Sequence, residues 1–192
     1  MRGTTQNRCG ATGVSRVVLT GFMGSGKSTV GRLLARALEW EFLDSDRQIE
    51  LENGETAQAL FSVLGETRFR EIEAATIARC LGKYKVVLAL GGAAIDLEAN
   101  RAILAQSQSS VIVFLDGDFD LLIERCLLQE GTGVATYRPL LHKKDIALSR
   151  FTTRREWNTT HAHLRVDVSN RTCEASVAII LQYLGITDYH DI

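Results

Sequence analysis

The stretch Gly21-Phe22-Met23-Gly24-Ser25-Gly26-Lys27-Ser28 decides the fold of this chain of 192 residues. It fits the pattern G-x-x-x-x-G-K-[ST], in which glycines let backbone N–H groups surround phosphate oxygens, the lysine supplies a positive charge and the hydroxyl ligates Mg²⁺. The apolar run Arg16–Thr20 before it predicts a strand, and apolar residues at helical spacing over 30–38 predict a helix after it. A chance glycine-rich loop is a poor alternative, because every specified position and both flanking elements agree. The sequence therefore predicts a P-loop that binds a nucleoside triphosphate.

Short apolar runs and amphipathic stretches alternate along the rest of the chain. Further strands are predicted at 41–44, 86–90, 111–115 and 164–168. Further helices are predicted at 46–52, 56–64, 66–81, 98–106, 119–128, 143–160 and 173–184. Strands that are apolar throughout and alternate with helices are typical of a parallel sheet covered on both faces. The sequence thus predicts one three-layer α/β domain over 16–192, preceded by a flexible tail at 1–15.

A polar stretch without periodicity interrupts this pattern at 129–137 and leads into the only proline, Pro139. Small polar residues in such a stretch predict an exposed, mobile loop. Arg138 ends the loop, where a guanidinium could swing onto a transferring phosphoryl group. The arginine alone is a weak signal.

Charge and composition exclude several classes of protein. Lys and Arg total 22 against 23 Asp and Glu, so the net charge of −1 gives no electrostatic reason to expect a nucleic acid or a membrane as partner. The longest apolar runs, such as 86–90, are far shorter than the ~20 residues of a membrane-spanning helix. The first 15 residues lack the apolar centre of a secretory signal, so we expect a cytoplasmic protein. The four cysteines are too widely spaced for a metal or disulfide motif.

Two carboxylates follow the second predicted strand. Asp44 and Asp46 lie at its carboxyl end, where ligands bind in parallel α/β sheets. Alternation along an extended strand puts both on the same side, so one could orient a hydrated metal while the other holds an acceptor hydroxyl and takes its proton. The alternative is helix capping, because Asp46 precedes a helical stretch and Asp is a good N-cap. Taken alone, the pair favours the two interpretations about equally.

A charged stretch, Gly65–Glu73, and a glycine pair, Gly91-Gly92, are further candidates. Most charged helical runs are solvated faces. Phe69 and Arg70 could nevertheless present an aromatic wall and a guanidinium to a small carboxylated substrate, with Glu73 holding the guanidinium. The glycine pair is either a strand-ending turn or a place where the backbone approaches a ligand closely.

Taken in order, these elements resemble the shikimate kinase family. The resemblance covers nearly the whole chain and rests on the P-loop, the pair Asp44 and Asp46, the Gly-Glu-x-x-Phe-Arg-x-x-Glu helix, Gly91-Gly92 and the Arg-Pro-Leu-Leu segment that begins at Arg138. It implies a P-loop kinase of the nucleoside-monophosphate-kinase type, with a five-stranded parallel sheet, a substrate-binding helical region at about 45–82 and a lid at about 129–141. The implied reaction transfers the γ-phosphoryl of ATP to the 3-hydroxyl of shikimate, in the biosynthesis of chorismate and aromatic amino acids.

The resemblance also implies roles for individual residues. Lys27, Asp46 and Arg138 are expected to act in catalysis, with Asp46 as the base. Mg²⁺ is expected at Ser28, with Asp44 orienting its water shell. The expected ATP-binding residues are Gly24, Ser25, Gly26, Lys27, Ser28, Thr29 and Arg138. The expected shikimate-binding residues are Asp46, Phe69, Arg70, Gly91, Gly92 and Arg154, with Arg155 as a competing assignment for the second carboxylate-binding arginine.

Three positions depart from the family pattern. Ala93 replaces a third glycine after the middle strand, which costs on the order of 1 kcal/mol if the position needs a positive φ. Gly131 stands where the family has a lid arginine that stacks on adenine, and Asn158 stands where it has a tyrosine on the helix of Arg154. None of the three touches the expected catalytic groups, so we expect an active, monomeric kinase with altered substrate or nucleotide binding.

Two alternatives remain open at this point. A related small-molecule kinase, such as one for gluconate, would have no reason to keep both Arg70 and Arg154 for a carboxylate beside a cyclic polyol. A weakly active homologue that binds ATP or shikimate as a sensor has only the three departures in its favour. Loss of Lys27 or Asp46 would have favoured it, and both are present.

Overall fold

A five-stranded parallel sheet forms the centre of the computed structural model, which describes residues 13–131 and 143–186. The strands are β1 (Arg16–Thr20), β2 (Glu41–Asp44), β3 (Val86–Ala89), β4 (Ser110–Asp116) and β5 (Leu164–Asp167). Their order in the sheet is β2-β3-β1-β4-β5, and every neighbouring pair is parallel. The fold class predicted from the sequence is therefore confirmed.

Helices connect the strands and cover both faces of the sheet. Within the described residues they are α1 (Lys27–Leu38), α2 (Ser45–Asn53), α3 (Ala57–Leu81), α4 (Glu98–Gln106), α5 (Phe119–Gly131), α6 (Lys144–His161) and α7 (Cys173–Tyr183), with a 3₁₀ turn at Ala94–Asp96. The helices predicted at 56–64 and 66–81 form one element, α3, whose backbone breaks at Gly65 with φ 76° and ψ 169°. Only glycine adopts that conformation without strain, so the break falls between the two predicted helices.

The central strand β1 separates two apolar clusters. Val17 and Leu19 belong to the cluster that packs under α1 and α7, whereas Val18 belongs to the cluster under α3 and α4. This division follows from the strand geometry, because successive side chains point to opposite faces. All three side chains are completely buried, and each contributes on the order of 2 kcal/mol to folding.

The loop after β1 occupies the middle of the sheet's carboxyl edge, because β1 is the third of the five strands. Beside it, α2 and the residues of α3 on either side of the break at Gly65 form a separate apolar cluster of Ile49, Leu60 and Phe69. This cluster lies within the region 45–82 that the sequence assigns to substrate binding. The P-loop and that region therefore meet at the edge of the sheet where ligands bind.

Some predicted segments lie outside the described residues. These are 1–12, which make up most of the predicted tail, and 132–142, which hold Arg138 and most of the predicted lid. At the other end of the tail, the Ser15 N–H donates to the Ser109 carbonyl at 2.9 Å, and Val14 packs against the core. No helix in the two described ranges has the length and apolar character that crossing a bilayer requires.

Candidate active site

The P-loop is closed by hydrogen bonds from its lysine to the backbone at the start of the loop. Gly24 and Gly26 adopt positive φ angles of 76° and 84°, a conformation that other residues reach only with strain. Gly26 is the N-cap of α1, so the free N–H groups of the first helical turn face the loop. The Lys27 ammonium donates to the carbonyls of Gly21 and Phe22 at 2.8 and 3.0 Å. Backbone donors, helix dipole and one cation thus converge where a triphosphate is expected.

Ser28 and Asp44 connect the P-loop to the end of β2. The Ser28 hydroxyl donates to Asp44 Oδ2 at 2.8 Å, while Asp44 Oδ1 accepts from the N–H groups of Asp46 and Arg47 at 3.2 and 3.5 Å. Asp44 is therefore the N-cap of α2. The capping role considered for Asp46 is wrong, because the helix begins at Ser45 and Asp46 already lies in its first turn.

The oxygens of Ser28 and Asp44 fit Mg²⁺. Both are hard oxygen donors, and Mg²⁺ is commonly held by one or two protein groups while water and phosphate oxygens complete its shell. The hydroxyl at the start of α1 can ligate the ion directly, and the carboxylate that already accepts its hydrogen bond can orient the water shell. The chemistry of this pair agrees with the expected metal site.

Asp46 lies in the cleft beside the P-loop. Its carboxyl lies against Gly91 and near the charges of Lys27, Asp44 and Glu73, although the residue as a whole is exposed to solvent. Burial, together with the negative charges of Asp44 and Glu73, raises the pKa of Asp46 from 3.8 to about 6, against the opposing effect of Lys27. The carboxyl is therefore more basic than an ordinary aspartate and still mostly ionised at neutral pH.

Gly91 makes room for the Asp46 carboxyl. A Cβ atom on Gly91 would collide with Asp46 Oδ1, whereas a Cβ on Gly92 would meet no atom within 4 Å. The Gly91 N–H donates to Ser45 Oγ at 2.8 Å and so fixes the loop after β3 against the start of α2. The glycine pair does form the strand-ending turn, in which the Ala94 N–H donates to the Gly91 carbonyl at 3.0 Å. Close approach of this backbone to a ligand stays a prediction.

Arg70 is held in place by acids. Its guanidinium donates to Glu73 at 2.9 Å and lies 3.7 Å from Glu66. The Arg70 side chain is 17% exposed and that of Glu73 is 3% exposed, so this part of the helix is not the solvated face that its charge density alone suggests. Behind it, Asn100 donates to Glu73 at 3.3 Å and to the Ala94 carbonyl at 2.8 Å.

The Phe69 ring is buried next to Arg70 and does not form the exposed aromatic surface that the sequence suggested. Its ring is buried in the cluster with Ile49 and Leu60, and Phe61 packs edge-on against it at 5.6 Å between ring centroids. The Arg70 guanidinium lies 5.8 Å from the same ring centroid. Phe69 thus fixes the position of Arg70.

The structure distinguishes Arg154 from Arg155. Arg154 is 6% exposed and donates through Nε and Nη2 to the two carboxylate oxygens of Asp96 at 2.7 and 2.5 Å. Its guanidinium lies 5.8 Å from the ring of Phe22 in the P-loop. Arg155 instead binds Asp116 at 3.0 and 2.9 Å, at the end of β4. Arg154 is therefore the arginine that borders the P-loop and the turn after Gly91.

A cavity of about 640 Å³ opens next to these arginines. It lies between α3, the start of α4 and α6, and its walls include Arg70, Asp96 and Arg150. Of the three expected substrate-binding side chains, Arg70 lines this cavity directly. Asp46 and Arg154 are connected to it through acids, because Glu73 acts on Asp46 and pairs with Arg70, and Asp96 lines the cavity and pairs with Arg154. A small molecule with a carboxylate at one end and a hydroxyl at the other matches this arrangement.

The departures from the family pattern have different structural consequences. Ala93 has φ −105° and ψ −2°, so the strain considered for a positive φ does not arise. Asn158 is buried one turn after Arg154, and within the described part of the chain its Oδ1 has no hydrogen-bond partner. Gly131 is the last residue of α5, and the Thr132-Gly133 segment after it lies outside the described residues.

Sequence reasoning missed several residues that shape this region, namely Ser45, Asp96, Asn100 and Arg150. Asp96 is separated from its partner Arg154 by 58 positions, and Asn100 from its partner Glu73 by 27. No local pattern signals such pairs. For Asp96 and Asn100 the only sequence signal is that they shortly follow the glycine pair.

Comparisons with known proteins agree on one family. The family model described as shikimate kinase matches residues 23–185. A shikimate kinase of Symbiobacterium thermophilum is 36% identical over 172 residues, which cover 88% of this chain and 95% of the relative. A shikimate kinase of Thermus thermophilus is 37% identical over 172 residues, covering 88% and 89%.

Solved structures give the same result. Shikimate kinase from Acinetobacter baumannii in complex with shikimate superposes with a TM-score of 0.76 at 29% identity, covering 90% of this chain and 94% of that one. Shikimate kinase from Bacteroides thetaiotaomicron gives a TM-score of 0.78 at 27% identity, covering 90% and 99%. A gluconokinase from Sinorhizobium meliloti gives 0.56 at 22% identity, covering 89% and 95%, and so shares the fold alone.

Proposed function

The chain belongs to the shikimate kinase family, and we propose that Lys27, Asp46, Arg70 and Arg154 are the residues with which it binds and phosphorylates its substrate. The protein is an ATP-dependent kinase that transfers the γ-phosphoryl group to the 3-hydroxyl of shikimate, a step toward chorismate and the aromatic amino acids. Three observations support the residue assignment: Lys27 and Glu73 act electrostatically on Asp46, Glu73 pairs with Arg70, and Arg154 lies over Phe22 of the P-loop.

Phosphate binding is assigned to the P-loop. The backbone from Gly24 to Thr29, with the side chains of Ser25 and Lys27, surrounds the β- and γ-phosphates. Ser28 would ligate Mg²⁺, and Asp44 would orient its waters. When bound, the ion neutralises charge on the phosphate oxygens. Arg138 is proposed to close over the phosphates from the lid at about 129–141.

Asp46 is the proposed base. It accepts the proton of the substrate 3-hydroxyl as that oxygen attacks the γ-phosphorus, the bond from phosphorus to the bridging oxygen breaks, and ADP leaves with the electron pair. A pKa of about 6 suits this role, because the carboxyl is ionised at neutral pH yet basic enough to hold a proton during the transfer. Gly91 keeps the space that the carboxyl needs.

Arg70 and Arg154 are the proposed partners of the substrate carboxylate. Arginine forms bidentate pairs with carboxylates, and both guanidiniums are already held by acids, so little side-chain freedom is lost when the substrate binds. Phe69 supports Arg70 from behind, and Gly91-Gly92 border the substrate. Arg154 is preferred over Arg155, because Arg155 is bound to Asp116 at the end of β4.

These features favour a shikimate kinase over the two alternatives. Two ordered guanidiniums near the base suit a carboxylate at a fixed distance from a hydroxyl, and the gluconokinase shares only the fold. The weakly active homologue loses part of its support, because Ala93 is free of strain. We also propose that the protein is a cytoplasmic monomer without a nucleic-acid or membrane partner, and the net charge of −1 supports the lack of a polyanionic partner.

Identification of the product tests this function. Incubation with ATP, Mg²⁺ and shikimate should yield one phosphorylated product, and phosphorus–proton coupling in NMR spectra should place the phosphate on the 3-hydroxyl. A phosphate on another hydroxyl would contradict the assigned position of Asp46. Absence of any phosphorylated shikimate would contradict the function itself.

A further inference from the structure

The charges around the 640 Å³ cavity are almost completely paired. Glu66 and Glu73 face Arg70, Glu71 faces Arg68, and Asp96 faces Arg154. Among the charged residues that line this cavity, Arg150 is the one for which the described residues provide no ion-pair partner. Because Glu66 and Glu73 both face Arg70, these groups together carry no net positive charge. Arg150 is the cation among them that has no acidic partner in the described residues, and the proposed function does not use it.

A cation without an acidic partner matters for anion binding because acids already neutralise the other two arginines, Asp96 in the case of Arg154. Asp96 occupies the Nε and Nη2 atoms of Arg154 and cancels the positive charge of that guanidinium. Glu73 does the same for Arg70. Both arginines retain N–H groups that can donate to a carboxylate, but their net attraction for an anion is reduced, since each positive charge already has a negative neighbour. A bound carboxylate therefore still lacks a compensating charge.

Arg150 is placed to supply it. It lies on α6 one turn before Arg154, so the two side chains project from the same face of the helix. It is exposed, and it lines the same cavity as Arg70 and Asp96. A guanidinium at the mouth of a cavity can attract an anion from solution and remain in contact with it once bound.

We propose that Arg150 is a third substrate-binding cation. It pairs with the substrate carboxylate and so compensates for the neutralisation of the Arg154 charge by Asp96. This inference rests on the proposed function, because it concerns the same substrate and the same cavity. It adds a specificity-determining residue that favours acceptors with a carboxylate over neutral polyols.

The test compares Arg150→Gln with Arg36→Gln. Arg36 is an exposed arginine in the last turn of α1, about 15 Å along the helix from the P-loop, so its replacement removes the same charge far from the cavity. Arg150→Gln should raise the KM for shikimate about three- to five-fold, the factor expected for one exposed ion pair, while the KM for ATP stays constant. Arg36→Gln should change neither constant.

Salt and a second substitution isolate the charge effect. Raising the ionic strength should raise the shikimate KM of the wild type and reduce its difference from Arg150→Gln, since salt screens exposed pairs. In an Asp96→Asn background, the positive charge of Arg154 no longer has a negative partner. The rise in shikimate KM caused by Arg150→Gln should therefore be smaller there. An unchanged shikimate KM in Arg150→Gln, or an equal factor in both backgrounds, would overturn the inference. Lack of shikimate phosphorylation by the wild type would instead overturn the proposed function.

Discussion

The carboxyl of Asp46 has to be enclosed enough to be basic and open enough to reach the acceptor hydroxyl. The structure meets both requirements, because burial of the carboxyl and the charges of Asp44 and Glu73 raise its pKa to about 6 while the residue as a whole remains exposed to solvent. Gly91 lets the protein backbone come close without displacing the carboxyl. Three residue-scale predictions follow from this placement.

The first concerns the pH dependence of activity. A base works only when deprotonated, so kcat/KM for shikimate should fall about ten-fold per pH unit below about pH 6 and level off above it. The same carboxyl should titrate near pH 6 in carbon-13 NMR spectra of the unliganded protein, and its signal should be missing from Asp46→Asn. A titration near pH 4 would contradict the proposed environment of Asp46.

The second concerns stability. The pKa of Asp46 is higher in the folded state than its ordinary 3.8, so folding is penalised once the unfolded chain ionises, and the penalty is complete above about pH 6. Asp46→Asn should therefore be more stable than the wild type at pH 8 and lose this advantage at pH 4. We expect a difference of about 1 kcal/mol in the free energy of unfolding, because solvent screens the charge of this exposed residue. The kcat of the variant should fall about 10²- to 10⁴-fold.

Urea unfolding at the two pH values measures the difference in free energy of unfolding, and initial rates measure kcat. A variant with near-normal kcat would show that Asp46 is not the base. A variant that is less stable than the wild type at pH 8 would show that the carboxylate is stabilised rather than penalised in the fold.

The third concerns Gly91. Gly91→Ala should fold, because the atom that its Cβ meets is the end of a flexible side chain, but it should displace the Asp46 carboxyl. A shift of about 1 Å costs about 10²-fold in kcat when it misplaces a catalytic group. Gly92→Ala is the matched comparison, since its Cβ meets no atom within 4 Å, and its loss in kcat should be much smaller. Equal losses in the two variants would contradict the close approach.

The two neighbouring arginines show where sequence reasoning stops at this scale. Local motifs were enough to propose residues for phosphate, metal and carboxylate binding, and these assignments stay predictions. Arg154 and Arg155 are adjacent and have the same chemistry, so sequence alone leaves the choice between them open. Their side chains leave the helix about 100° apart, and only the packing of α6 against the sheet decides which one faces the P-loop.

At the scale of elements, α3 connects the apolar core to the residues proposed to bind the substrate. Its second half packs Ile77 and Leu81 under the sheet, and the start of that half carries Phe69 and Arg70. The first half belongs to the smaller cluster with α2. The break at Gly65 sets the angle between the two halves and hence the position of Arg70 relative to the cleft.

Gly65→Ala should therefore affect both stability and binding. Its backbone angles are accessible mainly to glycine, so alanine should cost about 1–3 kcal/mol of the free energy of unfolding. Gly54→Ala should cost less, about 1 kcal/mol, because φ 72° and ψ 5° lie in the left-handed region that alanine can reach. Urea unfolding measures both, and an equal or smaller loss at Gly65 would contradict the strained break. The shikimate KM should rise in Gly65→Ala only.

The elements themselves were largely predictable. Apolar runs and helical spacing located every strand and α-helix of the described residues to within a few positions, helped by the buried apolar residues of the three central strands. The 3₁₀ turn at Ala94–Asp96 was not predicted. The order of the strands required the family resemblance or the structure, since no single-sequence pattern specifies which strand lies beside β1. The same holds for the pairing of Asp96 with Arg154 across 58 positions.

At the scale of the whole molecule, the chain is nearly neutral, so we expect local cations rather than the overall charge to attract its two anionic substrates. The net charge is −1, yet Lys27, Arg70, Arg150 and Arg154 all lie around the P-loop and the adjoining cavity. Arg70 and Arg154 have acidic partners, which fix their positions and lower the attraction for unrelated polyanions. Selectivity then depends on the distance between the carboxylate-binding arginines and Asp46.

The most direct test is ADP release from ATP and Mg²⁺ with shikimate, quinate and gluconate offered in turn. We expect rapid, saturable release with shikimate, much slower release with the other two acids, and loss of the shikimate-dependent rate in Asp46→Asn. Equal rates with all three acceptors, or no rate above the acceptor-free background with shikimate, would contradict this expectation.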